Sequence, residues 1–318
     1  MRVSAAIGRP ALALAVALLA WGGALAPARA QANNCRDATF GVEAAERLQN
    51  ASRDIVGQDI DEIQERGHIV FAVYEDFAPW SFREGGSEGG ELRGVDIELG
   101  RLIAGELGVE ARFIERGAGE NVDADLRNNV VWGPIAGGAV ANVMLHVPYD
   151  RELQCRNELV VLNGLYFDES LAIAYREDMH PEKAPVPAFF RFDTVGVEND
   201  SISDFYLSSL AGGQIVPKMT RYASMDAAMD GLAAGEVSAV MGPLGQVEHG
   251  MRGREGIAVH QPPLVGLAAS RWPLGVAVRH NWRPLSYAVE DAINAGLADG
   301  RIAAIFEDHG LTHVPPVR

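Results

Sequence analysis

Twice along this chain a short run of β-branched and apolar residues is followed by a helical pattern and then by another such run. The first series begins with His68-Ile69-Val70-Phe71-Ala72-Val73-Tyr74, a buried-strand pattern. It continues through Gly94–Gly108, where apolar positions 95, 99, 102, 103 and 107 give a helix ending at a glycine C-cap, and closes with a strand over Val109–Ile114. The second series predicts strand Thr194–Val197, helix Ser203–Leu210, strand Gln214–Val216, helix Met225–Ala234, strand Val237–Met241 and a helix after Pro243. Between them lie strands over Asn142–Val147 and Ser170–Tyr175, then the charged stretch Glu177–Pro187 with three prolines, which reads as a domain boundary. Trp272–Val278 returns as a strand, and helices over Trp282–Leu297 and Arg301–Phe306 end the chain. Strand–helix–strand alternation demands parallel sheets with right-handed crossovers, and two series demand two sheets. Such sheets bind ligands beyond the carboxyl ends of their strands, so two facing lobes put two binding edges around one crevice.

Composition narrows the class. With 48% hydrophobic and 22% charged residues the chain is globular, and 43 acids against 27 lysines and arginines (net −16) repel a phosphate backbone, which excludes nucleic acid as a partner. Residues 1–30 read as an export signal: Arg2 and Arg9 precede an apolar run over Pro10–Trp21, and Ala28-Arg29-Ala30 offers small residues at a cleavage site before Gln31. No later segment approaches the roughly 20 apolar residues of a spanning helix. The expectation is therefore a processed, periplasmic protein. In that oxidising compartment the two cysteines, Cys35 and Cys155, are expected to form a disulfide, the alternative being an unpaired Cys155 thiol near a cleft. Residues 41–66 carry helical spacing, so a helical N-terminal extension over 31–66 is expected to pack on the first lobe.

The order of these elements resembles the family 3 periplasmic solute-binding proteins, known as amino-acid receptors of ABC importers. The resemblance spans most of residues 66–312. It is carried by Arg66-Gly67-His68-Ile69-Val70 opening into Phe77-Ala78-Pro79-Trp80-Ser81-Phe82, by Arg93-Gly94-Val95-Asp96-Ile97-Glu98, by Val195-Gly196-Val197-Glu198, by the run from Met225 to Gly242, and by Gly275-Val276-Ala277-Val278 with Asp299-Gly300-Arg301. It implies an α/β, two-lobed type II fold joined by crossing strands near Ile173–Arg176 and Leu274–Val278. On that basis lobe 1 is residues 67–174 plus 275–318 and lobe 2 is residues 175–274. It also implies a monomer that traps a small polar or anionic solute, by hinge closure and without cofactor or catalysis, for a membrane permease.

The loop after the first strand places Phe77 and Trp80 at the cleft mouth, where flat rings stack on a ligand or else pack the lobe's own core. Asp96 caps its helix, tethers that loop or touches ligand. The resemblance implies an arginine for a ligand carboxylate; counting from either side lands on Arg156 or Arg151, bidentate partners that lysine does not match. It implies Asp200-Ser201 as the hydroxyl-bearing turn of lobe 2, with plain N-capping as the alternative, and His146 as a residue that lines or fills the crevice. The departure is Pro243, which stands where amino-acid receptors carry an aspartate for the α-ammonium. An unpaired ammonium in a desolvated cleft costs several kcal/mol, so a standard α-amino acid is an unexpected ligand.

No His-Glu-x-x-His helix or phosphate loop occurs, and Asp123-Ala124-Asp125 lacks the glycine and glutamate of a calcium loop, so no metal is expected. Two other classes share this shape. One is an accessory partner of a periplasmic quinoprotein dehydrogenase, with the N-terminal helix, Cys35 and the Trp132 loop as docking additions. The other is a dehydratase-like enzyme.

Overall fold

The computed structural model describes residues 60–84, 89–135, 137–267 and 270–317. The export signal, Cys35 and most of the N-terminal extension lie outside the described residues. Helix α1 (Ile60–Arg66) leads into strand β1 (His68–Tyr74), a two-residue hairpin β2 (Phe82–Arg83) and β3 (Leu92–Arg93), helix α2 (Val95–Glu106) and strand β4 (Glu110–Arg116). A short helix α3 (Val122–Leu126) follows and unwinds into a π-turn, then strand β5 (Val143–Pro148), helix α4 (Arg151–Arg156) and the long strand β6 (Val160–Arg176). The second series is β7 (Val195–Glu198), α5 (Ile202–Ser209), β8 (Met219–Tyr222), α6 (Met225–Ala234), β9 (Ala239–Pro243), α7 (Leu244–Met251) and β10 (Ile257–His260). Strand β11 (Arg271–Arg279) returns the chain, and α8 (Arg283–Ala298) and α9 (Arg301–Asp308) close it.

Strand β6 is where the two halves meet. Its residues Val160–Ser170 pair antiparallel with Arg279–Arg271 of β11, whereas Leu171–Tyr175 pair with Pro243–Ala239 of β9. The partner exchange thus falls between Ser170 and Leu171. In the first half the order is β4-β1-β5-β11-β6, with β1 parallel to β4 and β5; in the second it is β6-β9-β7-β8, with β7 parallel to both neighbours and β10 alongside β6.

Period-two burial builds both halves. In the first, Phe71, Val73, Val143 and Leu145 face a cluster with Ile103, Val289 and Phe306 of the covering helices, while Ala72, Met144 and Val147 face the opposite cluster with Leu126 and Val130. In the second, Ile173, Val197 and Met241 share one cluster, and Ala174 and Val240 pack with Met229 and Val247 in the other. Covered on both faces, these strands read as continuous apolar runs rather than alternating ones, as parallel sheets require.

Three sequence readings are corrected. Gln214–Val216 is not a strand: 3-10 turns occupy Leu210–Gly213 and Val216–Lys218, with Ala211 and Gly212 in left-handed backbone, and the strand begins at Met219. The strand read at Ser170–Tyr175 begins at Val160, because Val160–Ser170 pair with Arg279–Arg271 of β11, although Asn163 and Gly164 locally resemble a connection. Residues 151–156, taken as a connection, form α4, which the Asp150 carboxylate caps by accepting from the Leu153 amide at 2.8 Å.

Candidate functional site

The chain leaving β1 turns through Asp76, in left-handed backbone, and the Phe77–Ser81 bridge, with a cis Ala78–Pro79 bond between. This loop is clamped to the start of α2. The Val95 and Asp96 amides donate to the Pro79 and Trp80 carbonyls at 3.1 and 2.9 Å, satisfying helix N-terminal donors that would otherwise be orphaned. The close approach requires glycine at 94, where φ is 127° and a Cβ would overlap the Trp80 carbonyl. The Gly94-Val95-Asp96 motif therefore exists to hold the aromatic loop.

Trp80, 1% exposed, rests against His146 (ring centroids 4.6 Å apart), Phe167 (5.6 Å) and Phe306 (6.0 Å). Its far edge crosses to the other half of the molecule: a Cβ on Gly245, in the first turn of α7, would lie 2.5 Å from the indole. Phe77 stands edge-on to His146 at 5.0 Å. Asp96 is fully buried; the Tyr166 hydroxyl donates to its Oδ1 at 3.1 Å, and His146 Nδ1 lies 3.4 Å from Oδ2. His146 holds a φ of 57°, a conformation rare for histidine that aims its ring into this cluster. Burial and the neighbouring Asp96 push the Tyr166 phenol well above its ordinary value, so it stays a proton donor.

Two members of this junction were not anticipated from sequence, Tyr166 and Glu169. Glu169 lies on β6 beside the partner exchange, 1% exposed. Its Oε1 accepts from the Ser170 amide at 2.8 Å, and the Leu244 and Gly245 amides at the start of α7 also favour its charged form. Burial outweighs them and raises its pKa from 4.5 to about 8. The signal was present: Tyr166-Phe167-Asp168-Glu169-Ser170-Leu171 sets two acids inside an apolar strand, and Asp168 is answered by Arg271 of β11 at 3.2 Å.

The sequence-derived residues therefore separate into groups. Trp80, Asp96 and His146 form one buried junction, with Phe77 at its edge and Pro243 where β9 passes into α7. Arg156 lies on the surface of α4, its guanidinium bonded to Asp123 (3.3 Å) and Glu152 (3.1 Å); Arg151 is exposed at the start of that helix. In the second half, the Ser201 hydroxyl accepts from the Asp204 amide at 3.2 Å as the N-cap of α5. Asp200, in left-handed backbone, donates its amide to Asp204, whose carboxylate also meets Arg221 at 2.8 Å. The α5 terminus is thus supplied with its own negative charge.

A cavity of about 800 Å³ is bounded by β2, β3, α2 and α9 from the first half and by α6 and α7 from the second, and none of the junction residues lines it. Its carboxylates are Glu84, Glu98, Asp226, Asp230 and Asp308; its guanidiniums are Arg93, Arg252 and Arg254. Arg93 is paired with Glu84, and Arg254 with Asp230 at 2.5 Å. His249 and His309 face it from opposite halves, and burial lowers the pKa of each, so both rings are held toward neutrality. Among the described residues no group of histidines, cysteines and acids could hold a metal ion, and no helix is long and apolar enough to cross a membrane.

No family model matches the sequence, and no curated protein matches it. Solved structures do. An ancestral cationic amino-acid solute-binding protein aligns over 79% of this chain and 99% of its own, at 19% identity and TM-score 0.62. An amino-acid ABC transporter substrate-binding protein from Streptococcus pneumoniae bound to L-arginine covers 81% of this chain and 100% of its own, at 20% identity and TM-score 0.58. A mutant of the arginine-binding protein of T. maritima covers 78% of this chain and 97% of its own, at 22% identity and TM-score 0.55. The architecture is the two-lobed, type II solute-binding fold, with β6 and β11 as the strands that join the lobes.

Proposed function

We propose that this protein is an extracytoplasmic solute receptor whose lobes shut on a small molecule and deliver it, unchanged, to an ABC permease. The carrying observation is the partner exchange in β6. One strand leaves the first half-sheet at Ser170 and enters the second at Leu171, so the lobes share a narrow pivot while Trp80 of one touches Gly245 of the other. A pivot that narrow, with side chains meeting across it, is the arrangement of hinge closure. We take lobe 1 as residues 67–170 with 271–318 and lobe 2 as residues 171–270.

The ligand in this reading is polar and not anionic. The cavity between the lobes carries more carboxylates than guanidiniums, Arg156 is engaged by Asp123 and Glu152, and Asp204 and Asp200 sit at the α5 terminus. A neutral or cationic solute meets no excess of like charge there. Relatives of this fold named for cationic amino acids and arginine support a nitrogen-rich ligand, while Pro243 argues against recognition of an α-ammonium at that position. Export and the Cys35–Cys155 bridge belong to the same proposal.

A thermal-shift screen of amines, guanidino compounds, sugars and organic acids, followed by calorimetry, tests it. A true ligand at 100 times its dissociation constant adds about 2.7 kcal/mol of stability. Mass spectrometry must recover that ligand unchanged. A screen in which no class stabilises the protein, together with no solute carried through purification, overturns the receptor reading.

A further inference from the structure

The chain after α9 does not simply end on its own lobe. Leu311 is buried in the lobe 1 core, His313 Nε2 lies 2.8 Å from the Tyr166 carbonyl, and the Asp168 amide donates to the Val314 carbonyl at 2.8 Å. The segment is thus bonded to β6 just before that strand changes partners. From this anchorage it reaches α7 in lobe 2. The Thr312 amide and hydroxyl both donate to the Glu248 carboxylate, at 2.8 and 2.7 Å, and Arg252 Nη1 donates to the His309 carbonyl at 3.1 Å. Arg252 also packs over Gly310, whose φ of 69° turns the chain toward α7.

The geometry points to residues 309–314 as a strap that fastens lobe 2 to lobe 1 across the hinge, and so sets how far the molecule rests closed. This inference rests on the two-lobe closure proposed above. The contacts suit a releasable fastening. Those to α7 are exposed, polar and made by one helix face, so each contributes modestly and all separate together if α7 swings away. Those to lobe 1 combine backbone hydrogen bonds with burial of Leu311 and ring contact between His313 and Phe306 at 4.7 Å, so the strap stays with lobe 1 when it lets go. The strap also forms one end of the cavity between α7 and α9, through His309, so its release opens that space.

The test measures the interlobe distance by pulsed dipolar spectroscopy, with spin labels on Glu120→Cys in lobe 1 and Glu182→Cys in lobe 2, both exposed positions. Glu248→Ala removes the acceptor of both Thr312 bonds and is expected to raise the open-to-closed ratio about tenfold. Thr312→Ala produces part of that change, and Thr312→Ser, which keeps both donors, leaves the wild-type distribution. A wedge, Gly245→Phe, drives a ring into Trp80 and forces the lobes apart independently of the strap. A longer distance in Gly245→Phe with an unchanged distribution in Glu248→Ala overturns the strap alone. An unchanged distribution in every variant, the folded wedge included, overturns the hinge itself.

Discussion

Glu169 is a group through which pH acts on this fold. Its pKa is about 8 in the folded protein against 4.5 for an exposed glutamate, because burial beside Trp80 and Gly245 outweighs the amides that favour its charge. The folded state therefore holds this proton more tightly than the unfolded state. Its contribution is fully present below pH 4.5 and is lost as pH rises toward 8. At about 1.4 kcal/mol per pH unit over which only the unfolded chain is ionised, the loss between pH 5 and pH 8 is roughly 3 to 4 kcal/mol. Glu169→Gln replaces the protonated carboxyl with a neutral amide of the same shape, whose oxygen can still accept from the amides of α7. Urea unfolding followed by tryptophan fluorescence at pH 6.5, 7.25 and 8 is expected to show the variant nearly level where the wild type falls. A variant that declines as steeply as the wild type refutes the assignment of a neutral carboxyl at the hinge.

Other consequences are smaller or more local. Gly94→Ala places a methyl on the Trp80 carbonyl at a φ of 127°, and is expected to cost about 2 to 4 kcal/mol in urea unfolding, more than an ordinary glycine-to-alanine change. Arg156→Ala removes an exposed staple between α4 and Asp123; it should cost under about 1 kcal/mol and leave ligand affinity unchanged by calorimetry, whereas a large loss of affinity would return Arg156 to the cleft. His249 and His309 are held toward neutrality, so stability should also fall as pH drops below 6.5, where the unfolded chain takes up protons that the folded one resists; His249→Gln should blunt that acid limb in thermal melts at pH 5. If Cys35 and Cys155 are bridged, thiol titration of unfolded protein gives none before reductant and two after, and reduction removes up to about 4 to 5 kcal/mol.

The sheets and their order were legible because buried parallel strands and amphipathic helices leave strong local patterns: α6 was bounded correctly from sequence, and β1, β5 and α2 to within a residue or two. What the sequence concealed depends on long-range pairing. The first half of β6 alternates and carries Asn163 and Gly164, polar and flexible residues that look like a loop until the partner strand β11, more than a hundred residues away, is present to satisfy them. The junction was half visible. Phe77, Trp80, Asp96 and His146 were picked out singly, but their meeting with Tyr166 and Glu169 follows from where β6 crosses, which no local spacing encodes. Arg151 and Arg156 were drawn toward the cleft by counting along an irregular segment, and the Asp150 cap that makes it a helix turns Arg156 onto Asp123.

Small-angle scattering on one preparation tests hinge closure most directly, comparing the protein stripped of carried solute by unfolding and refolding with the same protein plus the compound that most raises its melting temperature. The stripped form is predicted to have the larger radius of gyration and to contract when the compound is added. Superimposable curves from the two samples, with the compound demonstrably bound, would contradict a receptor that works by shutting two lobes around β6.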